Sequence, residues 1–263
     1  MIVDISVITT VYNSERYIKE CIESVQQQIL PQNVTFEHVI VDDGSTDDTE
    51  NLIRQLQKKY PNINYLKYGK LGRAKALNRA VDNSKGKYIA NLDSDDLFLP
   101  NKLYLQYEFM EKHEECDLLC TESTTFNDKI PLNNTEELTY KIVDYKLLKK
   151  NIVNHSSVLF KKQELLNIGK YDETRTSQID LELWLRYLYH GLTICRLDAI
   201  LTGKRVHANQ SFERGNRLRY LTGSAKVKLK YIVKMKKYGY IPAVGFRFFG
   251  GMLPESFRAK FRN

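Results

Sequence analysis

Short β-branched apolar runs alternate along the chain with segments in which apolar residues recur every three or four positions. Residues 5–10, Ile5-Ser6-Val7-Ile8-Thr9-Thr10, read as a strand. Tyr17, Ile18, Cys21, Ile22 and Val25 then fall on one helical face, with Asn13 or Ser14 placed to cap that helix. Strand 36–41, helix 47–59, strand Ile63–Lys67 and helix 73–83 follow, and Ser84-Lys85-Gly86 breaks the chain before strand 87–92. Pro100 opens a further helix, with Leu103, Tyr107 and Met110 on its buried face. A run of βα units of this kind predicts a parallel sheet with right-handed crossovers.

Beyond about residue 115 the rhythm changes. Apolar runs at 117–121, 157–160 and 194–197 are separated by polar stretches and a helix, and 127–137 is polar and turn-rich, as a surface loop would be. The 263 residues suffice for one α/β domain with an appendage.

Charge marks where that appendage begins. The net +8 is uneven: from Lys204 onward 15 Lys or Arg face only Glu213 and Glu255, whereas the preceding part carries 25 basic and 30 acidic residues. Within the basic part, Leu218, Leu221, Ala225, Leu229 and Ile232 recur at helical spacing among lysines, and Phe257 and Phe261 stand four apart among Arg258, Lys260 and Arg262. Two readings fit: an amphipathic segment lying on an anionic membrane surface, or a helix packed on the domain with its basic face in solvent. No apolar run reaches the roughly 18 residues of a membrane span. Met1 leads directly into the first strand without a secretory pattern, and Cys21, Cys116, Cys120 and Cys195 lack the spacing of a zinc site. Together these features predict a cytoplasmic chain with free thiols, peripheral at most to the inner face of a membrane.

Two acidic clusters carry the chemistry. Asp42-Asp43-Gly44-Ser45 and Asp93-Ser94-Asp95-Asp96 each follow an apolar run and precede a helical segment. In an α/β sheet that is the edge where ligands bind. Carboxylates there can grip a divalent cation or the polar edge of a nucleotide, although such residues also serve as simple turns and caps.

Taken with their surroundings, the clusters resemble the motifs of family 2 glycosyltransferases of the GT-A fold. The resemblance rests on residues 6–13 (Ser6-Val7-Ile8-Thr9-Thr10-Val11-Tyr12-Asn13), on 39–47 around Asp42-Asp43, on 69–80, and on 86–96 with its Asp93-x-Asp95 pair. It extends from about Ile5 to Gln210, and Val11, where relatives often carry proline or a small residue, is a minor departure. It implies a Rossmann-like, mostly parallel central sheet flanked by helices. On that scheme residues 1–212 form the transferase domain, with a nucleotide-binding half at 1–115 and an acceptor half at 116–212, followed by a basic helical extension at 213–263.

By the same resemblance, Thr10, Tyr12 and Asp43, with Asp42 adjacent, hold the base and ribose of the donor. Asp93 and Asp95, with Ser94 between them, handle ribose and a Mn²⁺ or Mg²⁺ ion. Arg73 pairs with the diphosphate, and His207 or Arg205 steadies the leaving group. The helix opening Ser177-Gln178-Ile179-Asp180-Leu181-Glu182-Leu183-Trp184 resembles the segment that supplies the base. Alignment on Leu183-Trp184 makes Asp180 that base, with Glu182 in reserve and Ile179 replacing a first acid found in many relatives. Ser177-x-x-Asp180 also reads as a variant capping box. Asn154 and His155 are assigned to the acceptor side. The implied reaction is inverting, metal-dependent, non-processive transfer from a nucleotide sugar, expected to be a UDP-sugar, to a glycan or lipid-linked hydroxyl. Two other classes fit less well. A sugar-nucleotide pyrophosphorylase would need a glycine-rich N-terminal loop, and a nucleic-acid binder would find its phosphates repelled by the strand-end acids.

Overall fold

The computed structural model describes residues 3–126, 138–206 and 217–253. Its strands are β1 (Ile5–Val11), β2 (Phe36–Asp42), β3 (Ile63–Lys67), β4 (Tyr88–Asn91), β5 (Leu97–Phe98), β6 (Leu118–Phe126), β7 (Tyr140–Ile142), β8 (Leu159–Lys161) and β9 (Ile194–Arg205). Its helices are α1 (Ile18–Gln26), α2 (Thr49–Lys59), α3 (Arg73–Asp82), α4 (Lys102–Lys112), α5 (Lys162–Asn167), α6 (Ile179–Tyr189), α7 (Arg217–Lys234) and α8 (Ile241–Met252).

The first half folds as its alternation predicts. Strands β3-β2-β1-β4 lie side by side and parallel. Beyond β4 the order continues β8-β6-β9-β5, with β7 on β9; here β8, β5 and β7 run antiparallel to their neighbours and only β6 and β9 pair in parallel. Side chains alternate between the two faces, as the period of two requires. Ile8, Val39, Ile89, Leu118 and Phe160 meet α3 and α6 on one side. Val7, Tyr88, Ala90, Leu119 and Leu159 meet α1 and α4 on the other, where α2 joins through Ile53 and Leu56. A strand covered on both faces must also satisfy its polar side chains internally. In β1, Ser6 Oγ donates to Glu37 at 2.7 Å and Thr9 lies 2.9 Å from His38 Nε2. Burial holds His38 down to about 3, so this ring is neutral.

Several local expectations give way to tertiary contacts. Neither Asn13 nor Ser14 caps α1 with its side chain; Asn13 adopts φ 51° and its Oδ1 accepts from Thr46 N at 2.8 Å, which ties the end of β1 to the loop after β2. The capping box at Ser177 does not form, because Gln178 occupies the N-cap position in the left-handed region and makes no side-chain cap bond. The run at 194–197 is only the start of a twelve-residue strand, β9, whose far end pairs with β5. The expected loop at 127–137, His207, and the Phe257–Phe261 segment lie outside the described residues.

The C-terminal helices share the main core. Val227, Tyr231, Ile232 and Val244 belong to the same buried cluster as Trp184 and Ile89. Of the two readings of this segment, α7 takes the second and packs on the domain, but not through the whole stripe read from the sequence: Leu218 and Leu229 are exposed, and the inward face is Val227, Lys228, Tyr231 and Ile232. Lys228, although buried, satisfies its ammonium by donating to the carbonyl of Lys149 at 3.1 Å. The strongest tie is polar. Glu182 of α6, 2% exposed, accepts from Tyr231 at 2.6 Å and pairs with Arg186 at 2.9 Å. All four cysteines are buried, free thiols. Among the described residues no helix is long and apolar enough to cross a membrane.

Two measurements follow from these buried polar groups. Tyr231→Phe deletes a hydrogen bond to a buried carboxylate, so urea unfolding should show a loss of about 1.5–3 kcal/mol. Lys102 is fully buried against Gln106 and the Phe98 ring, and burial lowers its pKa to about 7. Between that value and the ordinary lysine range the unfolded chain binds a proton that the folded chain does not, so this residue makes stability rise with pH. Lys102→Met should raise the melting temperature more at about pH 6 than at about pH 10.

Candidate active site

Four segments meet at the carboxyl ends of the parallel strands. The first is the end of β1, where Thr10 is half-buried and Tyr12 is 47% exposed. The second follows β2. Asp42 is fully buried and spends both oxygens internally, Oδ1 accepting from Ser45 N at 2.7 Å and Oδ2 from the Tyr65 hydroxyl at 2.8 Å. It shapes the turn. Asp43 reaches the loop before α3, its Oδ1 accepting from Leu71 N and from Gly72 N at 3.0 Å. Gly44 makes this closure possible: it sits at φ +87°, and a Cβ there would lie 3.1 Å from Lys70 N. Lys70 in turn lies 5.3 Å over the Tyr12 ring. Tyr12, Asp43 and the 69–72 loop thus form one wall of a cleft.

The third segment is the acidic cluster after β4. Asp93 Oδ1 lies 2.7 Å from the Arg73 guanidinium and 3.1 Å from His155 Nδ1, and it accepts from Asn91 Nδ2 at 3.1 Å. Burial would raise the Asp93 pKa, but Arg73 and then His155 outweigh it and hold the carboxyl well below its usual range. Asp96, 3% exposed, behaves oppositely. Burial, then the charges of Asp95 and Asp93, push it up to about 8, although it accepts from Ser156 Oγ at 2.6 Å and from Arg205 N at 3.1 Å. Ser94 Oγ lies 2.9 Å from Ser14 Oγ and links the cluster to β1. Asp95 is half-buried.

The fourth segment brings Asp180. It sits in the first turn of α6, half-buried, with Asn151 Nδ2 at 3.4 Å from its Oδ2. A carboxylate suits a helix N-terminus electrostatically. Its more telling neighbour is Arg73, whose pKa is raised by Asp93 first, against burial, and further by Asp180 and Asp95. One guanidinium therefore feels the carboxylates of two segments, while 45% of its side chain stays open to solvent.

These contacts sort the expected residues. Asp93, Asp95, Arg73 and Asp180 come together, and Tyr12 and Asp43 face the same cleft edge. Glu182 does not: it is buried against Tyr231 and Arg186, which removes it as a reserve base. Arg205 bends over the cluster and is held by Glu20, by the Asp95 carbonyl at 3.2 Å, and between the Tyr17 and Phe126 rings. His207 lies outside the described residues. His155, assigned to the acceptor side, instead touches Asp93, and its Nε2 lies 2.9 Å from the Tyr171 hydroxyl. Asn91 and Tyr171 complete the site without having been singled out in the sequence, and Asp96, named there only as part of the acidic cluster, joins them. Among the described residues no three His, Cys, Asp or Glu side chains converge as a metal cluster.

Comparison with known proteins agrees with this geometry. Residues 6–166 match the profile of Glycosyl transferase family 2. An uncharacterised glycosyltransferase of Methanocaldococcus jannaschii, MJ1057, is 29% identical over 240 residues, 89% of this chain and 79% of that protein. The putative teichuronic acid biosynthesis glycosyltransferase TuaG of Bacillus subtilis is 34% identical over 211 residues, 78% of this chain and 80% of its own. Among solved structures, S. aureus TarS 1–349 in complex with UDP-GlcNAc superposes with a TM-score of 0.75 at 20% identity, covering 98% of this chain and 78% of that one. The mannosyltransferase PcManGT of Pyrobaculum calidifontis, in complex with GDP-Man and Mn²⁺, gives 0.66 at 16% identity with the same coverage. The strand-end acids, the sheet that carries them and these likenesses lead to one conclusion: the chain belongs to glycosyltransferase family 2 and is a transferase of the GT-A fold.

Proposed function

We propose that this enzyme moves one sugar at a time, with inversion, from a nucleotide sugar to a hydroxyl of a glycan or lipid-linked acceptor, and that the donor is a UDP-sugar. The observation that carries the proposal is the 2.7 Å contact of Arg73 with Asp93, made by a guanidinium that also feels the charges of Asp180 and Asp95. That arrangement pairs a cation with the place where a diphosphate would lie, and sets a separate carboxylate at the start of another helix, α6. The nucleotide sugars bound to TarS and PcManGT support the same substrate class.

In this reading Tyr12 offers a ring face to the base, and Asp43 accepts from its N–H groups while holding the 69–72 loop. Arg73 turns from Asp93 toward the diphosphate as the donor arrives, forming charge-assisted hydrogen bonds. His155, backed by Tyr171, keeps Asp93 oriented after that exchange. Asp180 takes the proton from the acceptor hydroxyl as its oxygen attacks the sugar carbon on the face opposite the leaving diphosphate.

The residues suit a divalent cation. Asp93 receives Arg73, His155 and Asn91 on Oδ1 alone, so its Oδ2 and the Asp95 carboxylate would supply hard oxygen ligands. Two carboxylates with diphosphate oxygens form an ordinary set for Mg²⁺ or Mn²⁺. When bound, the cation would offset the charge that builds on the leaving diphosphate.

Asp180→Asn should lower kcat by about 10²–10⁴-fold while donor binding persists. Because Asp180 makes no cap bond, the variant should unfold within about 1 kcal/mol of the parent. Transfer at the parent rate would remove Asp180 from the mechanism. Calorimetry with UDP-, GDP- and TDP-sugars, each with Mn²⁺, Mg²⁺ or EDTA, tests the donor side. Tightest binding is expected for a UDP-sugar with metal present, weakened by EDTA and by Asp95→Asn. If no nucleotide sugar binds under any of these conditions, the assignment of the cleft fails.

A further inference from the structure

Helix α8 has two unlike faces. One packs on α7: Val244 is 4% exposed, and a Cβ on Gly251 would lie 2.6 Å from Leu221 Cδ2, so glycine lets the helices approach. The opposite face is apolar and open. Phe246 is 80% exposed, Phe249 69%, Met252 52% and Ile241 44%. Phe246 and Phe249 lie three apart and Met252 three further on, so they share one stripe along the helix. Large aromatics gathered this way are unlike the single exposed apolar residues of an ordinary surface.

The charge around that stripe identifies the partner. Residues 217–253 contain nine Lys or Arg and no Asp or Glu. Lys226 and Lys236 of the adjoining α7 region are exposed, as are Lys230 and Lys234, although these two turn toward Glu182 and the Tyr189 ring, and Arg247 is exposed on α8 itself. An acidic protein groove would match the charge, but a two-phenylalanine stripe on a twelve-residue helix, in a hairpin that carries nine cations and no acid, fits a lipid interface better. There the rings enter the boundary between headgroups and acyl chains while the cations stay at anionic headgroups.

We propose that α8, through Phe246, Phe249 and Met252, is a docking surface for an anionic lipid bilayer, with the basic residues of the α7–α8 hairpin supplying the electrostatic attraction. The helix lies in the interface and does not span it. Docking of this kind is independent of the transfer reading, since it needs neither donor nor acceptor.

The test uses the full chain in vesicle co-sedimentation. Vesicles of phosphatidylglycerol and phosphatidylcholine in equal parts are compared with phosphatidylcholine alone, without nucleotide sugar. Binding should be at least about tenfold stronger to the anionic vesicles and should fall as salt is raised. Phe246→Ser with Phe249→Ser should cost about tenfold or more in partitioning while the melting temperature stays put, because both rings are already in solvent. Arg247→Gln should weaken binding to anionic vesicles only. Equal binding of the double serine variant and the parent would overturn the proposal, as would the absence of any preference for anionic lipid. A dimer of the parent that the serine changes dissociate, without any vesicle binding, would overturn it in favour of self-association.

Discussion

The contact between Arg73 and Asp93 is the one on which the rest of the cleft depends. Three aspartates stand within four residues of one another after β4, and no strand end tolerates that many charges without compensation. Asp93 is kept ionised by the guanidinium and by His155, and part of the cost reappears at Asp96, which is held up to about 8 beside two acidic neighbours. Arg73 is therefore the structural counter-ion of the cluster. On the proposed reading, a diphosphate that draws it away must bring its own compensation to the aspartates, as a divalent cation would. Donor and metal binding would then be coupled by electrostatics before any chemistry occurs.

The parallel half was legible because each of its elements obeys one period. Residues 63–67 were read to the residue, and the strand before each acidic cluster ends within a residue or two of where it was expected. The antiparallel half was harder to read. In β9, Arg196, Asp198 and Lys204 interrupt the apolar run, because parts of this strand face solvent and its far end reaches over to β5. The helix caps were misread for a similar reason. Asn13 has a better use joining two loops than closing α1, and Gln178 takes a left-handed turn that no local rule favours.

Within the site, residues carried by local motifs could be found and residues carried by distance could not. Asp93 and Asp95 announce themselves by spacing. Tyr171 enters only because its hydroxyl meets His155, sixteen residues away, in the folded state. Asp180 is preferred to Glu182 in the sequence by resemblance alone, and the fold adds the physical reason: Glu182 is sealed under Tyr231, whereas Asp180 stays half-buried in the first turn of the same helix. On α7 two apolar stripes compete. The leucine-rich one looks stronger in sequence, yet Val227, Tyr231 and Ile232 are the ones that α6 accepts.

The seal over Glu182 bears on how the polypeptide can be divided. The shift from acidic to basic composition invites a cut near residue 212, leaving a soluble catalytic fragment and a detachable anchor. Such a fragment would keep Glu182 facing Arg186 but would strip away the Tyr231 hydroxyl and uncover Trp184's neighbours where Val227, Ile232 and Val244 had been. The buried core therefore extends at least to Val244, beyond the point where the charge changes sign. A swap of tails between relatives would have to carry α6 along with α7, since the two helices meet over one carboxylate.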